Sequence, residues 1–202
     1  MNEKADQISL VILTYNALHF LDDLLNSIEK QTINPEIIIV DSSSTDGTID
    51  YLIERNITPI VISKSEFNHG GTRNYALNLA TNNIVVFLTQ DVILEGSDSL
   101  RILVDSIEKD CTVAMSYGRQ LPKRDATILS QFARINNYPA KSVIKSSKDI
   151  AHLGIKTCLI SNSFAAYNKE ILIKLGGFPS HLIMCEDVFV GAKAILRGFK
   201  IA

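Results

Sequence analysis

Four short polar segments of this sequence each follow an apolar run, and their residue types are those that handle bases, phosphates and cations. They are Thr14-Tyr15-Asn16, then Asp41-Ser42-Ser43-Ser44-Thr45-Asp46-Gly47, then Glu66-Phe67-Asn68-His69-Gly70-Gly71-Thr72-Arg73-Asn74, and last Thr89-Gln90-Asp91. Asp41, closing a buried run, could accept a hydrogen bond from the imide N–H of uracil or thymine; its competing role is an Asx turn or helix N-cap. Asp46-Gly47 suits the cap and turn itself. Gly70 and Gly71 let backbone approach a ligand and open a helix whose N–H groups favour phosphate. Arg73 offers a charge-assisted fork for a diphosphate, or else is a surface arginine. His69 alone is undecided, and His19, His152 and His181 show no metal-ligand spacing. Asp91 is an oxygen ligand suited to Mg²⁺ or Mn²⁺ bridging a diphosphate, with a loop N-cap as its alternative. Farther along, Glu186-Asp187 precedes an apolar-periodic stretch, either as helix N-terminal charges or as the general base of a transfer reaction.

Such residues need a scaffold that gathers them. Ile8 to Leu13, Glu36 to Val40, Pro59 to Ile62, Ile84 to Leu88 and Thr112 to Tyr117 have the composition of buried strands. Between them, Phe20 to Lys30, Thr48 to Arg55, Thr72 to Ala80 and Ser97 to Lys109 have helical apolar spacing. The alternation predicts an α/β domain: an open, mostly parallel sheet covered by helices on both faces. Ligands bind beyond the carboxyl ends of strands in such sheets, where the four polar segments fall. From Leu121 to Lys148 the pattern degrades to a loop and a helix over Ala126 to Ile135. Asn162 to Tyr167 then reads as a strand, Lys169 to Leu175 as a short helix ended by Gly176-Gly177, and Val188 to Leu196 as the last helix. The sequence stops at Ile201-Ala202 as another strand begins, the pattern of an incomplete C-terminus. One domain spans 1–202, with the four polar strand-end segments in the half at 1–118 and an incomplete half at 119–202.

Composition narrows the function classes. The 202 residues are 46% hydrophobic and 21% charged, ordinary for a globular chain, and the net charge of −2 gives no bulk attraction to nucleic acid. Cys111, Cys158 and Cys185 are too dispersed for a disulfide framework or a zinc site. The polar start MNEKADQ is unlike a secretory signal, and no apolar run approaches the roughly twenty residues that span a bilayer. The expectation is a cytoplasmic chain, compatible with resting on the inner face of the plasma membrane.

Taken in order, VILTYNA, IIIVDSSSTDGT, FNHGGTRNYAL, VVFLTQDV, the GGF turn and CEDVFVG make the sequence resemble the family 2 glycosyltransferases, which have the Rossmann-like GT-A fold. FNHGGTRN followed by FLTQD looks especially like the rhamnosyltransferase branch, which builds bacterial surface polysaccharides from dTDP-L-rhamnose. The resemblance implies that Thr14, Tyr15 and Asn16 line a nucleotide pocket and that Asp41 reads the pyrimidine with Ser43 close by. It implies that His69, Gly70 and Arg73 border base, ribose and diphosphate, with Gln90 in the same donor site. Asp91 matches the last carboxylate of the family's DxD metal motif, although Thr89 replaces the first. Asp187 matches the catalytic base, and Glu186 is the near alternative. The implied reaction is an inverting displacement from a dTDP- or UDP-sugar to a saccharide or lipid-linked saccharide, assisted by Mg²⁺ or Mn²⁺. Thr89 and the abrupt end favour the alternative of an inactive nucleotide-sugar-binding module or partner subunit; Asp91, Glu186 and Asp187 oppose it. A nucleotidyltransferase would want a Gly- and Lys-rich phosphate loop after the first strand, which TYNALHF is not.

Overall fold

The computed structural model describes residues 8–123 and 126–202, so the polar N-terminal residues lie outside it. The first half alternates as β1 (Ile8–Thr14), α1 (Leu18–Glu29), β2 (Glu36–Asp41), α2 (Thr48–Glu54), β3 (Ile60–Val61), α3 (His69–Leu79), β4 (Ile84–Thr89), α4 (Ser99–Glu108) and β5 (Val113–Tyr117). Next come α5 (Ile128–Asn137) and α6 (Ile150–Leu153), the latter between 3₁₀ turns at Ser147–Asp149 and Gly154–Cys158. The chain then runs through β6 (Phe164–Asn168), α7 (Lys169–Lys174), α8 (Glu186–Leu196) and β7 (Lys200–Ile201).

The strands form one seven-stranded sheet in the order β3-β2-β1-β4-β6-β5-β7. Strands β1 to β4 are mutually parallel where they pair, and β7 runs parallel to β5. Strand β6 enters between β4 and β5, antiparallel to both. The sheet is therefore mostly parallel, as expected. Successive strand residues alternate between two cores. Val11, Val40, Val85, Phe87 and Tyr167 pack toward α3, α7 and α8. Leu10, Ile12, Ile39, Val86 and Leu88 pack toward α1, α2 and α4. Burial on both faces explains why the strands read as continuous apolar runs.

Three helices begin earlier than their apolar spacing suggested, α1 at Leu18 instead of Phe20 being the first. Helix α3 starts at His69 instead of Thr72, because the Asn68 side chain caps it by accepting the Gly71 N–H at 2.8 Å. Helix α8 starts at Glu186 instead of Val188, so both carboxylates lie in its first turn. The short turns around α6 were not foreseen. They are held largely by Lys145, whose buried ammonium donates to the carbonyls of Leu159 at 2.6 Å and Lys156 at 3.2 Å and to Tyr117 Oη at 3.2 Å. Burial lowers the Lys145 pKa to about 8. Among the described residues, no helix is long and apolar enough to cross a membrane.

The GGF turn fastens α3 to the end of α7. Asn74 Nδ2 donates to the Phe178 carbonyl, and the Phe178 N–H donates to Asn74 Oδ1, both at 2.8 Å. Gly70 lies beneath the same turn, where a Cβ would sit 2.1 Å from the Pro179 carbonyl oxygen. A Cβ on Gly71 would meet nothing closer than 3.4 Å. Gly70→Ala is accordingly expected to destabilise by about 1–3 kcal/mol through overpacking. Gly71→Ala should be neutral or stabilising by up to about 1 kcal/mol, because it gains helix propensity. Thermal melts of the two variants decide this, and equal losses would contradict the contact.

Candidate functional site

The strand order reverses about β1, with β2 and β3 on one side and β4 on the other, and the carboxyl-end crevice opens there. Register pairs Thr14 with Asp41 and Leu13 with Thr89, so three of the four polar segments meet at one edge. A cavity of about 260 Å³ lies at this edge. Its walls include Thr14 and Tyr15 from β1, Ser42 after β2, Lys64, Phe67, His69 and Arg73 from the passage between β3 and α3, and Thr89 and Gln90 from β4.

Local hydrogen bonds shape this wall. Gln90 Oε1 accepts the Tyr15 N–H at 2.9 Å and its Nε2 donates to the Tyr15 carbonyl at 3.2 Å, which orients the tyrosine. Lys64 Nζ donates to Tyr15 Oη at 2.7 Å and lies 4.4 Å from the ring centroid. The His69 ring packs edge-on against Phe67, 5.0 Å between centroids. Two buried polar atoms of cavity residues, Ser42 Oγ and Arg73 Nε, have no hydrogen-bond partner within the protein.

Several expected residues stand behind the wall instead of in it. Asp41 is fully buried and accepts from Thr14 Oγ1 at 2.7 Å, Ser44 N–H at 2.7 Å and Ser44 Oγ at 2.6 Å. Its carboxylate braces the turn, and Ser42, one residue on, faces the cavity. Asn16 accepts the Thr45 N–H at 2.9 Å, and Ser43 Oγ donates to the Ile62 carbonyl at 2.7 Å. Both tie loops together outside the cavity. Gly70 gives its close approach to the Pro179 backbone, where a ligand was expected. Gly47 is the N-cap residue of α2, and Asp46 before it accepts from Thr48 N–H and Oγ1 and from the Leu18 N–H at 3.1 Å.

Arg73 is neither a surface residue nor an unengaged fork. It is buried, and its Nη1 lies 2.9 Å from Glu186 Oε1 and donates to the His69 carbonyl at 2.9 Å. Burial lowers its pKa, with Glu186 acting in the opposite sense. Glu186 also accepts from Asn162 Nδ2 at 3.2 Å, and Asn162 Oδ1 accepts from Tyr167 Oη at 2.7 Å. Sequence reasoning missed Asn162, Tyr167, Ser42 and Lys64. Asn162 and Tyr167 read as one strand's residues, and no local pattern marked the other two.

Asp187 is the less buried of the adjacent carboxylates and carries no ion pair among the described contacts. Its Oδ2 accepts the Asn162 N–H at 3.1 Å and its Oδ1 the Val188 N–H at 2.8 Å. Its pKa is nevertheless raised, chiefly by burial, with the Glu186 charge adding and the two N–H donors and Arg73 subtracting. Cys185, just before the pair, has φ 66°. Asn16 and Ser43 share this left-handed conformation, so three non-glycine residues in a costly backbone region flank the crevice.

Asp91 lies outside the main cavity, exposed beside a smaller hollow of about 120 Å³ with His19, Asp23 and Lys123. Its Oδ1 accepts from Thr89 Oγ1 at 2.8 Å. Among the described residues no group of three or more His, Cys, Asp or Glu could hold a metal ion. The hollow offers two carboxylates, Asp91 and Asp23, too few for a cation unless a ligand supplies further oxygens.

The model of glycosyl transferase family 2 matches residues 9–176. The O-antigen chain rhamnosyltransferase RfbN of Salmonella typhimurium is 45% identical over 97% of this chain and 63% of its own length. The corresponding WbaN of Salmonella anatum is 48% identical over 96% of this chain and 62% of its own length. The chain thus spans less than two thirds of these relatives. Among solved structures, the mannosyltransferase PcManGT of Pyrobaculum calidifontis, in complex with GDP-Man and Mn²⁺, superposes with a TM-score of 0.70 at 22% identity. That match covers 96% of this chain and 53% of that one. S. aureus TarS superposes with a TM-score of 0.73 at 21% identity over 96% of this chain and 34% of that one. These likenesses establish the GT-A fold.

Removing one member of a buried ion pair strands the other. Arg73→Met is expected to cost about 3–5 kcal/mol, and Arg73→Met/Glu186→Met less than the sum of the singles. Denaturant titration of the three variants measures this, and strict additivity would show that the pair is not coupled. Asp187 gives an opposite expectation. A carboxyl whose pKa is raised on folding binds its proton more tightly when folded. That stability is present below the ordinary aspartate value and lost as pH rises through the raised one. Asp187→Asn should therefore raise the melting temperature at pH 7, and the gain should vanish in acid. A lower Tm at pH 7 would contradict it.

Proposed function

The chain belongs to glycosyl transferase family 2, and on that premise we propose that it moves a sugar, L-rhamnose from dTDP-L-rhamnose, to a hydroxyl of a surface polysaccharide or lipid-linked saccharide. The observation that carries this is a pairing of parts. The crevice cavity contains Arg73, Arg73 is bonded to Glu186, and the next residue is a carboxylate of raised pKa with free capacity to accept a proton. The two rhamnosyltransferases, 45% and 48% identical, support the choice of donor sugar.

In this reading Tyr15, Ser42, Phe67, His69 and Gln90, which all line the cavity, hold the nucleotide. Lys64 at the mouth and the Arg73 guanidinium provide positive charge toward the diphosphate, which carries more negative charge as it leaves. Asp187 takes the proton from the acceptor hydroxyl as that oxygen bonds to the anomeric carbon from the face opposite the departing diphosphate. One C–O bond forms as another breaks, so the configuration inverts. Burial raises the Asp187 pKa above the ordinary aspartate value, which makes its carboxylate a stronger proton acceptor. Mg²⁺ or Mn²⁺ would be held by Asp91 together with diphosphate oxygens and water, and it would offset the charge on the leaving group. Such a reaction belongs at the cytoplasmic membrane face if the acceptor is lipid-linked. Thr89, where the family's metal motif has an acid, supports a second reading: a module that binds nucleotide sugar without turning it over.

A thermal-shift panel of dTDP-rhamnose, UDP-glucose, UDP-GlcNAc and GDP-mannose, with and without Mn²⁺, separates these. The largest shift is expected with dTDP-rhamnose, increased by Mn²⁺, and Asp91→Ala should remove only the Mn²⁺ increment. Asp187→Asn should keep the nucleotide shift and lose about 10²–10⁴-fold in turnover. No shift with any donor would remove the basis for the proposal; shifts without turnover in the wild type would leave the binding module.

A further inference from the structure

Residues 119–156 take no part in the crevice cavity, yet they include the most exposed apolar helix of the molecule. Helix α5 buries no residue at all. Ile128, Leu129, Phe132 and Ile135 are 84%, 81%, 66% and 60% exposed. At spacings of one, four and seven they share one face, with Ser130, Arg134 and Asn137 opposite. The C-terminal end of the helix is tied down, because Arg119 Nε donates to the Tyr138 carbonyl at 3.1 Å. The helix is thus held by the domain while its apolar stripe faces outward. An apolar stripe of this kind marks an interaction surface.

Charge selects the partner. The same segment carries eight of the chain's 20 Lys and Arg but only two of its 22 Asp and Glu. Arg119, Lys123, Lys141, Lys148 and Lys156 are all exposed. A second copy of this face would bring like charges together, which opposes self-association. Nucleic acid would match the charge and leave the stripe bare. A surface that is anionic outside and apolar just beneath satisfies both features, and that is a bilayer containing acidic phospholipid.

We propose that α5 and its basic flanks form a membrane-docking surface, the stripe from Ile128 to Ile135 lying in the headgroup boundary of an anionic bilayer. The helix is about 15 Å long, suited to lying in the interface and too short to cross it. Apart from Lys123, which lines the hollow beside Asp91, none of its residues lines the described cavities or touches Asp187.

The test is flotation of the chain with vesicles of phosphatidylcholine plus phosphatidylglycerol, against vesicles of phosphatidylcholine alone. Capture is expected on the anionic vesicles and should weaken in high salt. Leu129→Gln/Phe132→Gln should weaken capture about tenfold or more. Lys141→Gln/Lys148→Gln should weaken it roughly fivefold for each charge removed. Because α5 buries nothing, the Leu129/Phe132 variant should melt with the wild type, so lost capture would not reflect unfolding. The proposal is overturned by no capture on anionic vesicles, or by capture indifferent to the substitutions. It is also overturned by a concentration-dependent dimer that Leu129→Gln/Phe132→Gln dissolves, which would assign the stripe to a second copy.

Discussion

The ion pair between Arg73 and Glu186, 2.9 Å long and buried on both sides, is the constraint on which the site depends. It joins α3, which follows the polar segment after β3, to the first turn of α8, which bears the candidate base. Neither charge could remain in that interior alone. Asn162 and Tyr167 extend the pair into the sheet, through Asn162 Nδ2 to Glu186 and Tyr167 Oη to Asn162 Oδ1. The antiparallel entry of β6 beside β4 makes this possible, since it carries Tyr167 into the core against Phe87 and Phe178.

The network also separates the roles of two adjacent carboxylates. Glu186 is committed to Arg73 and Asn162, whereas Asp187 receives only two backbone N–H groups. Burial beside a second negative charge raises its pKa without giving it a cation of its own. One position along a helix thus separates a carboxylate held in an ion pair from one without a cation of its own. Cys185, the N-cap residue of α8, has left-handed backbone immediately before the two carboxylates.

The crevice shows the same division between brace and wall. At the end of β2, Asp41 is saturated by Thr14 and Ser44 while Ser42 is among the residues lining the cavity. At the start of α3, Gly70 accommodates the Pro179 backbone while His69 and Arg73 face the space. Preorganisation of this kind is what a polar ligand site requires, because wall groups held in place lose little freedom when a ligand arrives.

The sequence by itself determined the alternation of strands and helices, the edge at which Tyr15, His69 and Gln90 would meet, and the segments that carry the family likeness. Those follow from local chemistry: apolar period, turn residues and caps are legible one segment at a time. Asn68 and the first turn of α8 show its limit even there, since a cap shifts a boundary that periodicity alone places late. Tertiary structure alone decided that Arg73 is buried against Glu186, that Asp41 braces while Ser42 faces the cavity, that Lys64 reaches Tyr15, and that the apolar stripe of α5 is left uncovered. Each depends on a partner far away along the chain (more than a hundred residues for Arg73), and a residue's type does not say which partner it will meet or whether it will meet one.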